Sequence, residues 1–420
     1  MHKEDEIKIK IPYGKDEILI NISKENVKDV IYPNKVEQRE INKVINDALD
    51  NPVGMESFDE FLLKNKDILF VVNDGTRPTP TAAILKILNK RMDLAKAKYI
   101  IATGIHRPPT EEEYYYIFGD LYDELKSRII VHDGMKEEDL VYKGYTKNGT
   151  EMWINKNVYE AGSLIPIGSI EPHYFGGYTG GRKFLLPGLA GYKTIEQNHR
   201  LVLKDGVETL KLKGNPVHED FIDALKTLKG KPIFSIQTVL NREKNLYAAT
   251  AGDINESFYE AIRYAKEVFC VSIKEKTDIV VTVAPYPMDI DLYQSLKATD
   301  YGKLALKENG ILILVSKCRN GIGPSKFYEL LSSSHSLKEV FDVVNKEYKL
   351  GYHIAAKIAE LNSWAKMWGV TELKDKVMRK AFIRPFCSIQ KAIDEAINEK
   401  GSSAKIIFLM DGSITVPIIQ

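Results

Sequence analysis

The sequence predicts an α/β protein of two domains with mainly parallel sheets. Three observations predict it. The chain has 420 residues, too many for one ordinary domain. Short apolar runs alternate with stretches of helical periodicity, the pattern of strands covered on both faces by helices. Polar loops bearing Gly or Pro follow several of those runs, where an open α/β sheet binds its ligands.

The elements follow in order. Isoleucines alternate with polar residues over 7–11 and again over 18–22, on either side of a turn at Gly14-Lys15, which predicts two strands. The apolar run 68–72 predicts a buried strand that breaks into NDGTRPTP, and Ala82, Ala83, Leu85 and Leu88 continue with helical spacing. A strand over 99–102 ends in TGIHRPPT, after which Thr110 and Glu113 form a capping box for the next helix. Further strands are predicted over 129–131, 164–167 and 233–240. After the charged stretch IKEK, strands over 279–283 and 311–315 lead into APYPMDIDLYQSLK and the glycine-bearing CRNGIGP. Helical patterns dominate 327–398, and a last strand is predicted over 405–410. The first domain is therefore expected over 1–272, completed by 403–420, and the second over 277–400.

Composition excludes several classes. With 44% hydrophobic and 28% charged residues the chain has ample core. A formal net charge of +1, with basic residues spread along the chain, gives no field for nucleic acid or an anionic membrane. No run approaches the ~18 apolar residues of a membrane span, and the start MHKEDEIKIK lacks the apolar core of a signal peptide. Cys270, Cys318 and Cys387 are far apart and odd in number, which suits a reducing compartment. A cytoplasmic protein is expected.

The richest stretch is SIEPHYFGGYTGGRKFLLPGLAGYKTIEQNH. Gly176, Gly177, Gly180 and Gly181 precede Arg182 and Lys183, so backbone can approach a ligand and offer N–H groups to an anion. A phosphate loop needs Gly before its Lys and Ser or Thr after it; Arg182 and Phe184 occupy those places. The plain alternative is a flexible glycine loop with a solvated Arg-Lys pair, but His173 and His199 flank it. Of the eight histidines, at 2, 106, 132, 173, 199, 218, 335 and 353, His106 and His173 each follow a predicted strand in a Gly- or Pro-rich loop. Two imidazoles on opposite faces of a substrate can exchange protons with either enantiomer. His199, in the helical-looking TIEQNH, suits a single metal bond, with no HxH, HExxH or CxxC partner nearby.

Asp74 and Arg77 in NDGTRP follow a strand end, where an acid suits ribose hydroxyls and an arginine a carboxylate or phosphate; an Asx turn beside a surface arginine explains the pair equally well. Tyr293, Gln294 and Lys297 fall at i, i+1 and i+4, which puts Tyr293 and Lys297 on one helical face. No strand is followed by GxGxxG, against a nicotinamide-dependent dehydrogenase.

Four segments in register, NDGTRPTP, ATGIHRPPT, EPHYFGGYTGGRK with its later NH, and YPMDIDLYQSLK, resemble the nickel-pincer-nucleotide-dependent lactate racemase family along nearly the whole chain. The resemblance implies two α/β domains with the active site in the interdomain cleft. It implies a nickel(II) pyridinium-3,5-bisthiocarboxylic acid mononucleotide attached covalently at Lys183, with His199 as the metal ligand. It also implies His106 and His173 as catalytic acid/bases. Asp74, Gly75, Thr76 and Arg77 would contact the cofactor, and Arg77, Tyr293, Gln294 and Lys297 the substrate. The implied reaction interconverts 2-hydroxy acid enantiomers by hydride transfer, with lactate as substrate. Malate, a longer aliphatic acid or a sugar acid are the alternatives, and a non-catalytic nucleotide- or metal-binding protein is the reading from another class. Cofactor-biosynthesis proteins are the implied partners, with no nucleic acid and no membrane.

Overall fold

The structure, a computed structural model, describes residues 6–420; His2 and the first residues of the charged start lie outside them. The described chain forms two compact units, one of residues 35–268 and one of residues 6–34 with 269–420. Both are α/β, and both centre on a six-stranded sheet that is wholly or mainly parallel.

In the 35–268 unit the strand order is Leu246–Gly252, Ser235–Leu240, Ser163–Ser169, Ile68–Asn73, Lys98–Ala102, Ile129–Val131. All neighbours run parallel except the first pair. The central strand, ILFVVN, is buried over its first five residues, as expected of a strand covered on both faces. Phe70, Val72, Tyr99, Ile101, Ile165 and Ile236 pack with Ile84, Leu85 and Leu88 of the helix Thr81–Leu88. The predicted capping box is present: the Thr110 hydroxyl accepts from the Glu113 amide, and the Glu113 carboxylate accepts from the Thr110 amide. TIEQNH lies in the helix Tyr192–Arg200, as its pattern suggests.

The other unit has the order Arg384–Pro385, Lys366–Val370, Leu306–Val315, Thr277–Val283, Ile406–Leu409, Val27–Ile31, parallel throughout. The predicted first strands form the hairpin Glu6–Tyr13 with Asp16–Ser23, turning at Gly14-Lys15, and Ile9, Ile11, Ile20 and Ile22 enter this unit's core.

Two expectations are corrected here. The C-terminal strand does not complete the sheet of the first domain; it lies between Thr277–Val283 and Val27–Ile31. Residues 6–34 likewise belong with the C-terminal half and not with 35–268. The run IIFL declares a buried strand, but main-chain hydrogen bonds accept any parallel neighbour, so local sequence does not choose the sheet. The stretch 327–398 is not purely helical either. Helices Lys326–Ser333, Leu337–Lys346 and Tyr352–Trp364 are followed by the strand Lys366–Val370. KMWGV carries one β-branched residue and one Gly, so its strand character comes from its place beside Leu306–Val315. Among the described residues, no helix is long and apolar enough to cross a membrane.

Candidate active site

In the 35–268 unit the chain passes from Ile68–Asn73 to Lys98–Ala102 and Ile129–Val131, then returns to the opposite side of the first strand with Ser163–Ser169. The winding direction therefore changes between Ser163–Ser169 and Ile68–Asn73, the place where loops diverge and leave room for a ligand. NDGTRP leaves one of those strand ends and EPHYFGG the other. Thr79 joins them: its hydroxyl accepts from the Asn73 side chain at 2.7 Å and donates to Ser169 Oγ at 3.0 Å.

The loop carrying His106 is bound to NDGTRP from two sides. Asp74 is buried, and its Oδ2 lies 2.7 Å from His106 Nδ1. Its Oδ1 accepts from the Thr76 amide at 3.0 Å and the Thr76 hydroxyl at 2.6 Å. Burial opposes ionisation of Asp74, but the His106 contact, Thr76 and Arg77 together hold its carboxyl below the usual range. A carboxylate only accepts, so His106 carries a proton on Nδ1 and, when neutral, a lone pair on Nε2. On the second side, Glu113 takes both terminal nitrogens of Arg107, at 2.7 and 2.8 Å, and lies against Gly75. A Cβ on Gly75 would come within 2.6 Å of the Glu113 side chain, so the close approach requires glycine there. Asp74, expected as a ribose or cofactor contact, thus has both oxygens engaged inside the chain. Thr76 is exposed, Gly75 and Arg77 are half-buried.

His173 is held differently. It is 9% exposed, and its Nδ1 accepts from the Gly176 amide at 3.1 Å. The proton of the neutral ring is therefore on Nε2, the reverse of His106. A Cβ placed on Gly176 would lie 3.3 Å from that Nδ1, 3.3 Å from the Phe221 ring and 3.6 Å from Lys183 Nζ. The missing side chain thus lets the imidazole, the Phe221 ring and the lysine close in on this backbone position. Lys183 sits in the short turn Gly181–Phe184, its ammonium 5.8 Å from the centre of the Phe175 ring and 5.7 Å from that of Phe221. Phe175 also meets His199 edge-on, with ring centroids 5.1 Å apart. Burial, and then the Lys183 charge, push His199 down to about 3, so its imidazole stays neutral, the form a metal binds.

Arg182 rules out the plain alternative of a solvated pair with Lys183. It is 3% exposed, gives Nε–H to Asn255 at 2.8 Å, and has its NH1 3.1 Å from His218 Nε2. Phe258 and Tyr259 flank its guanidinium, each centroid at 4.9 Å. Burial first, then Arg182, push His218 down to about 4, which leaves Nε2 free to accept. The glycine loop is thereby tied to the helices Pro216–Lys226 and Glu256–Phe269. Sequence reasoning missed Arg182, His218 and Asn255 as a group, because 73 residues separate its ends.

In the other unit, Tyr293 and Gln294 lie on the helix Leu292–Ser295 and Lys297 begins the helix Lys297–Gly302, so the segment is two short helices and not one. Asp291 caps the first, accepting from the Gln294 amide at 2.7 Å. Tyr293 packs against Phe327 at 5.7 Å, and burial, reinforced by Asp291, pushes its hydroxyl up to about 12, so it remains a donor.

Known proteins resemble this chain over nearly its whole length. Residues 13–210 match the family described as Lactate racemase N-terminal domain, and residues 272–418 the Lactate racemase C-terminal domain. A lactate racemase of Lactiplantibacillus plantarum is 30% identical over 97% of this chain and 98% of its own. One from Thermoanaerobacterium thermosaccharolyticum is 29% identical over 96% and 97%. The solved apoprotein of the lactate racemase from that second organism superposes with a TM-score of 0.90 at 27% identity, covering 98% of this chain and 100% of that one. A Thermotoga maritima crystal structure, at 15% identity and a TM-score of 0.70, shares the fold. Fold and matches together define an isomerase. The chain belongs to the lactate racemase family.

Proposed function

We propose that this chain interconverts the enantiomers of a 2-hydroxy acid, lactate first among them, using a nickel-pincer nucleotide held covalently by Lys183. The observation that carries the reading is the convergence of His173 Nδ1 and Lys183 Nζ on the Gly176 backbone, where a Cβ would lie 3.3 and 3.6 Å from them. The residues fit the group. Lys183 offers an amine beside Gly176, and His199 offers a neutral imidazole within reach of the Lys183 charge. Among the described residues no group of three or more His, Cys, Asp or Glu could hold a metal, so a nickel held by His199 would need its other donors from the nucleotide. When bound, the group would supply hydride acceptor and donor chemistry at the substrate's α-carbon.

The chain's own residues do the rest. His106, with Nδ1–H fixed on Asp74, takes the hydroxyl proton of one enantiomer at Nε2. His173 faces the other enantiomer. To give a proton as the imidazolium, or to take one at Nε2 as the neutral base, it must carry a hydrogen on Nδ1, with the Gly176 amide turned aside. Arg77 and Lys297 balance the substrate carboxylate, and Gln294 and Tyr293 donate to its oxygens. We place the activity in the cytoplasm, which the odd count of three cysteines supports. Other proteins make and deliver the cofactor.

The test is intact mass and nickel analysis of native protein, then assay of single-enantiomer lactate, malate and longer 2-hydroxy acids. Native protein is expected to carry added mass and nickel and to racemise lactate. Lys183→Ala is expected to lose both the added mass and the activity; a variant that kept them would remove the basis of the reading.

A further inference from the structure

The segment CRNGIGP plays no part in the reading above, yet it lies along the residues that lead into Gln294 and Lys297. Four main-chain hydrogen bonds join the two. The Arg319 amide donates to Asp289 O at 3.0 Å and the Asn320 amide to Ile290 O at 2.6 Å. In return the Leu292 amide donates to Gly321 O at 3.0 Å and the Tyr293 amide to Ile322 O at 3.1 Å. A loop paired this way is a strap across the start of the helix Leu292–Ser295.

Side chains fasten both ends. Asp289 is 0% exposed, and Arg319 donates to its Oδ1 through Nε at 2.9 Å. The same guanidinium lies 4.8 Å over the Tyr286 ring and reaches Pro287 O at 3.4 Å. Removing Arg319 leaves a buried carboxylate without its counter-charge, which forces that end of the strap to rearrange. At the other end Gly323 has φ +83°, and a Cβ there would lie 2.7 Å from the Asp291 carboxylate. Asp291 is the residue that caps Gln294; burial holds its carboxyl above the usual range, against the Gln294 amide and the Lys297 charge. Below them the Ser295 and Ser316 hydroxyls are 2.7 Å apart.

We propose that residues 316–323 hold the carboxylate-binding residues in place, with Arg319 and Asp289 as positioning residues that do not themselves touch substrate. This rests on the reading that Gln294 and Lys297 bind the substrate. Steady-state kinetics of cofactor-loaded Arg319→Met, Arg319→Lys and Gly323→Ala test it, alongside hydrogen exchange over 292–297.

Arg319→Met is expected to raise KM about tenfold or more, the scale of a misplaced charged hydrogen bond. Its kcat should stay within about threefold, with added mass at Lys183 and nickel per chain unchanged. Arg319→Lys restores part of the KM, because an ammonium still balances Asp289. Gly323→Ala moves KM the same way from the other end, and these two variants carry the test if Arg319→Met does not fold. In each, amides over 292–297 exchange faster while those of Thr277–Val283 do not. Unchanged KM together with unchanged exchange overturns the proposal, as does a fall in kcat alone. Lys297→Ala separates the two ideas. Unchanged KM in that variant, beside faster exchange in Arg319→Met, rejects the substrate reading and keeps the strap.

Discussion

The two sheets share a winding scheme and differ in what they hold at their carboxyl ends. In the 35–268 unit the direction changes beside Ile68–Asn73; in the other it changes between Thr277–Val283 and Ile406–Leu409. Loops leave the strand ends at both places. The first unit fixes its polar groups by side-chain bonds: Asp74 on His106, the Gly176 amide on His173, His218 and Asn255 on Arg182. The second fixes its segment mainly by main-chain bonds to a neighbouring loop. Proton transfer depends on which ring nitrogen carries the hydrogen, so a histidine needs a partner of defined polarity. An ammonium that balances a carboxylate needs only a position, and a backbone strap supplies that.

That contrast predicts where substitutions should act. The largest effects belong to the histidines. His106→Ala and His173→Ala are each expected to lower kcat/KM by about 10²–10⁴-fold, the range of a lost acid/base. Because enantiomers have equal free energies, the loss must be equal from either substrate, measured by polarimetry or chiral chromatography. A variant that kept near-normal turnover would break the contrast at once.

Lys297→Ala comes next. Its KM for the 2-hydroxy acid is expected to rise about 10–100-fold with a smaller change in kcat, the cost of one charged hydrogen bond. Mass and nickel should stay as in the native protein. Loss of bound cofactor in this variant would show that the division of labour is wrong.

The smallest effect is on stability and concerns Asp74→Asn. The folded carboxyl lies below its usual range, so its stabilisation is present above the unfolded-state value and is lost as pH falls through the folded value. The variant is expected to be less stable than the native chain by about 1 kcal/mol at neutral pH, discounted for the solvent around a partly exposed His106. The gap should close in acid, as followed by denaturant titration at several pH values. A gap that widened in acid would contradict the pairing. Activity should fall as well, since the substituted amide keeps an acceptor for Nδ1–H but brings no charge to stabilise the imidazolium.

Much of this was legible in the sequence, and particular residues show why. Buried parallel strands such as ILFVVN announce themselves as apolar runs, and Thr110 with Glu113 marks a helix start through contacts three residues apart. His106 and His173 stood out because each follows a strand end. The tautomers did not, since His106 depends on Asp74, 32 positions earlier. Arg182 looked solvated beside Lys183 and is buried, because its partners come from two later helices. The opening hairpin and the strand Ile406–Leu409 were assigned to the wrong unit for a similar reason.

By itself, then, the sequence determined the alternation of strands and helices, the loops that carry polar residues, and the four segments that carry the resemblance to the racemase family. Each of these is written in neighbours along the chain, in periodicity, caps and turns. Only the tertiary structure decided which sheet takes the terminal strands, on which nitrogen His106 and His173 carry their protons, and which loop pairs with residues 289–293. Those depend on contacts between residues far apart in sequence, where a hydrogen bond or a buried charge is settled by whatever the fold brings alongside.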